Sequence, residues 1–100
     1  MSSIAQRELM WFVDRLAELQ KIHAYTVTSW WRTVKRNEEV GGMVNSLHLS
    51  GLAVDCVLAP GQSKHIFLRD AKTVGLHGLV EGDHVHLQAR GRRSVATGAP

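Results

Sequence analysis

Along the first twenty residues apolar positions recur at intervals of three and four: Leu9, Phe12, Val13, Leu16 and Leu19. That spacing predicts one face of an amphipathic helix. Ser3 followed by Gln6 has the spacing of a capping box, and the helix is expected to end near Lys21. Tyr25 to Thr28 is β-branched and aromatic and reads as a short strand. Ser29 to Asn45 is charged in its middle and broken by Gly41 and Gly42, which predicts an irregular loop with room for one helical turn.

Ala53 to Leu58 (AVDCVL) has the composition of a buried strand with one aspartate inside it, and Ala59-Pro60-Gly61 ends it. Ser63 to Leu76 predicts a second helix, with Ile66, Phe67, Ala71 and Val74 on one face and Gly75 as its stop. A last strand is expected from about Asp83 to Ala89. The segment 91–100 is rich in Gly, Ala and Arg and is expected to fray as a flexible tail. The elements sum to an α+β fold, a small antiparallel sheet with helices packed on it, as one domain over residues 1–100.

Composition narrows the function classes. The chain has 44% hydrophobic and 21% charged residues, an ordinary globular balance. At 100 residues it buries roughly 60–65% of its unfolded surface, so a bound metal would matter to stability as well as to chemistry. The net charge is +3, and part of that excess lies in Arg90, Arg92 and Arg93. No basic stripe is interleaved with aromatics, which argues against nucleic acid as a partner. Cys56 is the only cysteine, so neither a disulfide framework nor a thiolate cluster is available. Leu9 to Val13 is too short for a signal-peptide core and no segment reaches membrane-span length, so synthesis in the cytoplasm without membrane insertion is expected.

The chemistry concentrates in Ser46-Leu47-His48-Leu49-Ser50-Gly51-Leu52-Ala53-Val54-Asp55. An aspartate inside an apolar strand costs several kcal/mol unless its charge is compensated, and a metal ion is a sufficient compensation. His48 lies just upstream, with Gly51 allowing the chain to turn between them. A third ligand is offered by Asp83-His84-Val85-His86, where alternation places His84 and His86 on one face. Two histidines and one aspartate leave a tetrahedral zinc one open position, the catalytic rather than the structural arrangement. Taken singly, each residue has a duller reading as a loop, turn or solvent-facing side chain; the metal reading rests on their combination. His23, His65 and His77 fit no such pattern and are assigned structural or surface roles.

The pattern S-x-H-x-x-G-x-A-x-D, followed some thirty residues later by H-x-H, resembles the zinc D-Ala-D-Ala carboxypeptidase family. That family includes phage L-alanyl-D-glutamate endopeptidases and shares its fold with the hedgehog signalling domain. Ser29-Trp30-Trp31-Arg32 is similar to the family's S-x-x-R, and Asn37 with Gly41-Gly42 to its N-x-x-x-G-G. The resemblance implies one zinc per chain on His48, Asp55 and His86, with Arg32 stabilising the oxyanion or holding a substrate carboxylate. It implies a substrate contact for Ser46. For the general base it offers two residues, Asp83 and His84. Strand alternation favours His84, with Asp83 able to orient or replace it. The implied substrate is the stem peptide of peptidoglycan, cut at either the D-Ala-D-Ala or the L-Ala-D-Glu bond. The expected setting is a monomer acting on the cell wall, released as a phage lysis enzyme would be. The alternative is a zinc-stabilised wall-binding module of the same fold without catalysis.

Overall fold

The computed structural model describes residues 3–44 and 46–89; the Arg90–Arg93 cluster and the expected tail 91–100 lie outside them. Helix α1 spans Ile4–Gln20. Ser3 caps it: its hydroxyl accepts from the Gln6 N–H at 3.1 Å, and the Gln6 side chain accepts from the Ser3 N–H at 2.8 Å. The helix buries Phe12, Leu16 and Leu19, whereas Val13 falls at the edge of that stripe and is exposed.

Strands β1 (Tyr25–Ser29), β2 (Ala53–Leu58), β3 (Leu76–Glu81) and β4 (His84–Ala89) form one antiparallel sheet in the order β1-β2-β4-β3. Helix α3 (Lys64–Thr73), capped by Ser63, links β2 to β3. Between β1 and β2 the chain forms a short helix α2 (Val34–Glu39) and a 3₁₀ turn (Leu47–Ser50). The fold is thus α+β, as the sequence pattern predicts, with three helices and a four-stranded sheet.

Four elements differ from expectation. Helix α3 stops before Gly75, and Leu76 opens a strand that the helical period of Ser63–Leu76 had absorbed. That strand, β3, reads poorly because Gly78 interrupts it and Leu79 and Val80 are both exposed, so no clean alternation shows. The charged stretch after Arg32 holds a six-residue helix, started by Thr33 accepting from the Arg36 N–H. Asp83 lies in the two-residue turn Gly82-Asp83 of the β3–β4 hairpin, and β4 begins at His84.

Period-two alternation gives the sheet two unlike faces. Val54, Cys56, Val85 and Leu87 face the core with Phe12, Leu16, Leu19, Phe67 and Ala71 from α1 and α3. The Tyr25 and Phe67 rings meet edge to face at 5.4 Å, and the Tyr25 hydroxyl donates to the Leu16 carbonyl at 2.7 Å. Burial pushes the Cys56 thiol up to about 12, so it behaves as a small hydrophobe. His23 joins the end of α1 to α3, with Nε2 2.7 Å from Asp70 and Nδ1 3.1 Å from Gln62. Among the described residues no helix is long and apolar enough to cross a membrane.

Phe67 is fully buried against Tyr25 and His23 at the centre of this core. Phe67→Ala is expected to cost ~3–5 kcal/mol in urea unfolding. A loss under about 1 kcal/mol would show that α3 does not seal the sheet as described.

Candidate metal centre and its cleft

The opposite face of the sheet carries Asp55 from β2 and His84, His86 and Gln88 from β4. Asp55 and His86 are register partners on the two central strands, so sheet pairing itself brings them together. His86 Nδ1 lies 3.2 Å from Asp55 Oδ1. The third member comes from the 3₁₀ turn: His48 Nε2 is 3.3 Å from the same carboxylate oxygen. Ser46 starts that turn by accepting from the His48 N–H at 3.2 Å, and Gly51 ends it in the left-handed region, φ 79°. A β carbon at Gly51 would also sit 2.5 Å from the Trp31 ring, so glycine is required there twice over.

One donor atom each from His48, Asp55 and His86 falls within 4.8 Å of the others. The far nitrogen of each imidazole is engaged elsewhere. His48 Nδ1 is 2.7 Å from the Trp30 carbonyl, which can only accept, so Nδ1 donates there and Nε2 is the nitrogen turned inward. His86 Nε2 is 2.9 Å from Gln88 Oε1, which leaves Nδ1 facing Asp55. Outer acceptors that fix the tautomer of inner imidazoles are what a metal-binding histidine pair needs. The donor set fits a divalent ion such as zinc.

Electrostatics agree with the geometry. Burial works against the charged Asp55 carboxylate, yet hydrogen bonds and charge interactions with His48 and His86 hold it well below the usual carboxylate range. Burial likewise opposes charge on His86, but its bonds to Asp55 and Gln88 outweigh this and raise its pKa. Arg32 Nη2 lies 3.5 Å from Asp55 Oδ2 on the other side.

The centre opens into a cleft of about 920 Å³ lined by Trp31, Arg32, Ser46, His84 and Glu81 as well as the three donors. His84 is partly exposed, with Nε2 3.9 Å from Asp55 Oδ1 and 3.3 Å from Glu81 Oε1. Its Nδ1 is 3.2 Å from Asp83 Oδ1. The Asp83 side chain is fully exposed at the hairpin tip and does not line the cleft. The hydrogen bond to Asp83 is the main cause that raises the His84 pKa.

The structure therefore brings together His48, Asp55, His86, His84, Arg32 and Ser46, and leaves Asp83 behind His84. Three contributors escape a reading of the sequence. The Trp30 carbonyl carries no side-chain signal. Gln88 shares a face with His84 and His86, and continuing the alternation two residues further would have found it. Glu81 pairs with His84 across a hairpin whose first strand was not anticipated.

Among known families, residues 2–88 match the family model described as Peptidase M15. No curated protein and no solved structure gave a significant match.

The pKa directions fix how the metal-free protein responds to pH. His86, with its pKa raised, contributes stability below the ordinary histidine value and loses it as pH rises through the higher folded value. Asp55, with its pKa depressed, contributes above the ordinary carboxylate value and loses it only on strong acidification. Chelated protein is therefore expected to melt highest between about pH 4 and 6.5. Zinc-loaded protein should instead gain stability as pH rises, because protons on His86 compete with the metal. Melting curves across that range, with and without chelator, check both slopes; parallel curves would remove the metal from this site.

Proposed function

The chain belongs to the peptidase M15 family, and on that premise we propose that it is a zinc-dependent peptidase hydrolysing a bond in the peptidoglycan stem peptide. M15 peptidases are zinc-dependent. The observation that carries the reading is the convergence of His48 Nε2, Asp55 Oδ1 and His86 Nδ1 at the floor of a cleft that also holds Arg32 and His84. A purely structural metal site has no use for the last two.

His48, Asp55 and His86 would hold the ion, which supplies Lewis-acid polarisation of the scissile carbonyl and makes water a nucleophile near neutral pH. The chain's own groups do the rest. His84 takes the proton at Nε2 and returns it to the leaving amine. Asp83 on Nδ1 orients the ring, and Asp83 and Glu81 together stabilise the imidazolium between the two transfers. This divides the two candidate bases by role: His84 moves the proton and Asp83 positions it. Arg32 presents a planar cationic fork to the developing oxyanion or to a substrate carboxylate. Ser46 stands at the cleft wall with its hydroxyl oxygen accepting from the His48 N–H, leaving its own proton for a substrate acceptor. The site of action we propose is the cell wall, in the manner of a phage lysis enzyme; it rests on the substrate that the resemblance implies.

Digestion of purified peptidoglycan and of a soluble stem pentapeptide, read by mass spectrometry, tests this. Loss of one D-Ala, or cleavage after L-Ala, should appear with zinc and vanish with chelator. His84→Ala should lower kcat by ~10²–10⁴ with zinc content unchanged, and Asp83→Asn by about tenfold. Zinc-loaded protein that binds wall but cuts neither substrate would favour the non-catalytic binding module.

A further inference from the structure

Arg32 lies outside every helix and strand, so contacts rather than regular structure set its aim. Its main-chain N–H donates to the His48 carbonyl at 3.0 Å, which ties it to the metal-binding turn. Its Nη1 donates to Asn37 Oδ1 at 2.9 Å. Asn37 is only 3% exposed and engages all its polar groups. Its Nδ2 donates to the Met43 carbonyl at 2.6 Å and its main-chain N–H to the Thr33 carbonyl at 2.9 Å. Its carbonyl accepts from the Gly42 N–H at 2.8 Å. Gly42 in turn has no space for a side chain: a β carbon would overlap Asn37 Oδ1 and come within 2.9 Å of Arg32 Nη1. Residues 37–43 therefore close as a hydrogen-bonded loop around one edge of the guanidinium.

The acceptor in this clamp is neutral. An amide oxygen fixes the direction of a guanidinium while leaving its charge intact, whereas a carboxylate would pair with it. Among the described residues the carboxylate within reach is Asp55, which is already shared with His48 and His86.

We propose that Asn37, locked in place by Gly42, is a positioning residue that aims Arg32 into the cleft and preserves its charge for an anionic group of the substrate. The kinetic half of this inference rests on the peptidase reading; the structural half does not. Asn37 acts through Arg32 and touches no reacting atom.

Three measurements decide it. Asn37→Ala should lower kcat/KM on the stem pentapeptide by about ten- to a hundredfold with zinc content unchanged. The same change in an Arg32→Ala background should cost less than about threefold more. Equal losses in both backgrounds overturn the proposal. Should the alanine variant not fold, averaged Arg32 Nη signals in the parent chain overturn the clamp; Asn37→Asp retains an acceptor for Arg32 but gives up the Nδ2 donation to the Met43 carbonyl. It should raise KM about tenfold by neutralising the fork; an unchanged KM counts against the idea. With ¹⁵N-labelled arginine, the Arg32 Nη signals should be resolved by slow rotation in the parent chain and averaged in Asn37→Ala. Identical spectra overturn the clamp. If the parent chain cleaves no peptide, the peptidase reading fails while the spectra still judge the clamp.

Discussion

A carboxylate held in the middle of a β-sheet is the constraint from which the rest of this molecule follows. Asp55 sits on a central strand, where a charge without partners would cost more than a domain this small can spare. Two imidazoles at 3.2 and 3.3 Å and a guanidinium at 3.5 Å surround it. Each comes from a different part of the chain: β4, the 3₁₀ turn, and the residue after the tryptophan pair. Folding must deliver all of them, so the sheet register, the turn at Gly51 and the path of residues 30–50 are bound to one electrostatic requirement.

The division of labour between the two sheet faces makes this affordable. Helices α1 and α3 seal one face with Phe12, Leu16, Leu19 and Phe67. The other face is left to the long β1–β2 connection, which walls a cleft instead of filling it. Alternation along β4 then sends Val85 and Leu87 to packing and His84, His86 and Gln88 to chemistry. Neither set compromises the other, because a strand exposes each side chain to one face only.

The parts legible in the sequence were those with a side-chain signature and a fixed spacing. The capping box at Ser3, the charged residue in an otherwise apolar β2, and the paired histidines of β4 all declare themselves. The S-x-H-x-x-G-x-A-x-D pattern added the 3₁₀ histidine, which no periodicity would have joined to Asp55. What escaped depends on contacts that leave no residue-type trace. Strand β3 was hidden because its outward residues Leu79 and Val80 are apolar and Gly78 breaks the alternation. Asp83 was placed on a strand although a Gly-Asp pair between two runs also spells a two-residue turn. The inward nitrogen of His48 is set by a main-chain carbonyl, which one-letter code does not show; Asn37 and Gly42 are visible as letters, but their packing around Arg32 is not.

The pairing of Asp55 with His86 has a consequence for when a three-donor site can exist. Those register partners stand 31 residues apart in the chain. During synthesis, His48 and Asp55 emerge well before the hairpin that supplies the third donor. A growing chain can offer only two of the three ligands, and those without the sheet pairing that fixes their distance. A three-donor site is therefore a property of the completed sheet: an ion held by all three donors would have to bind after β4 has paired with β2.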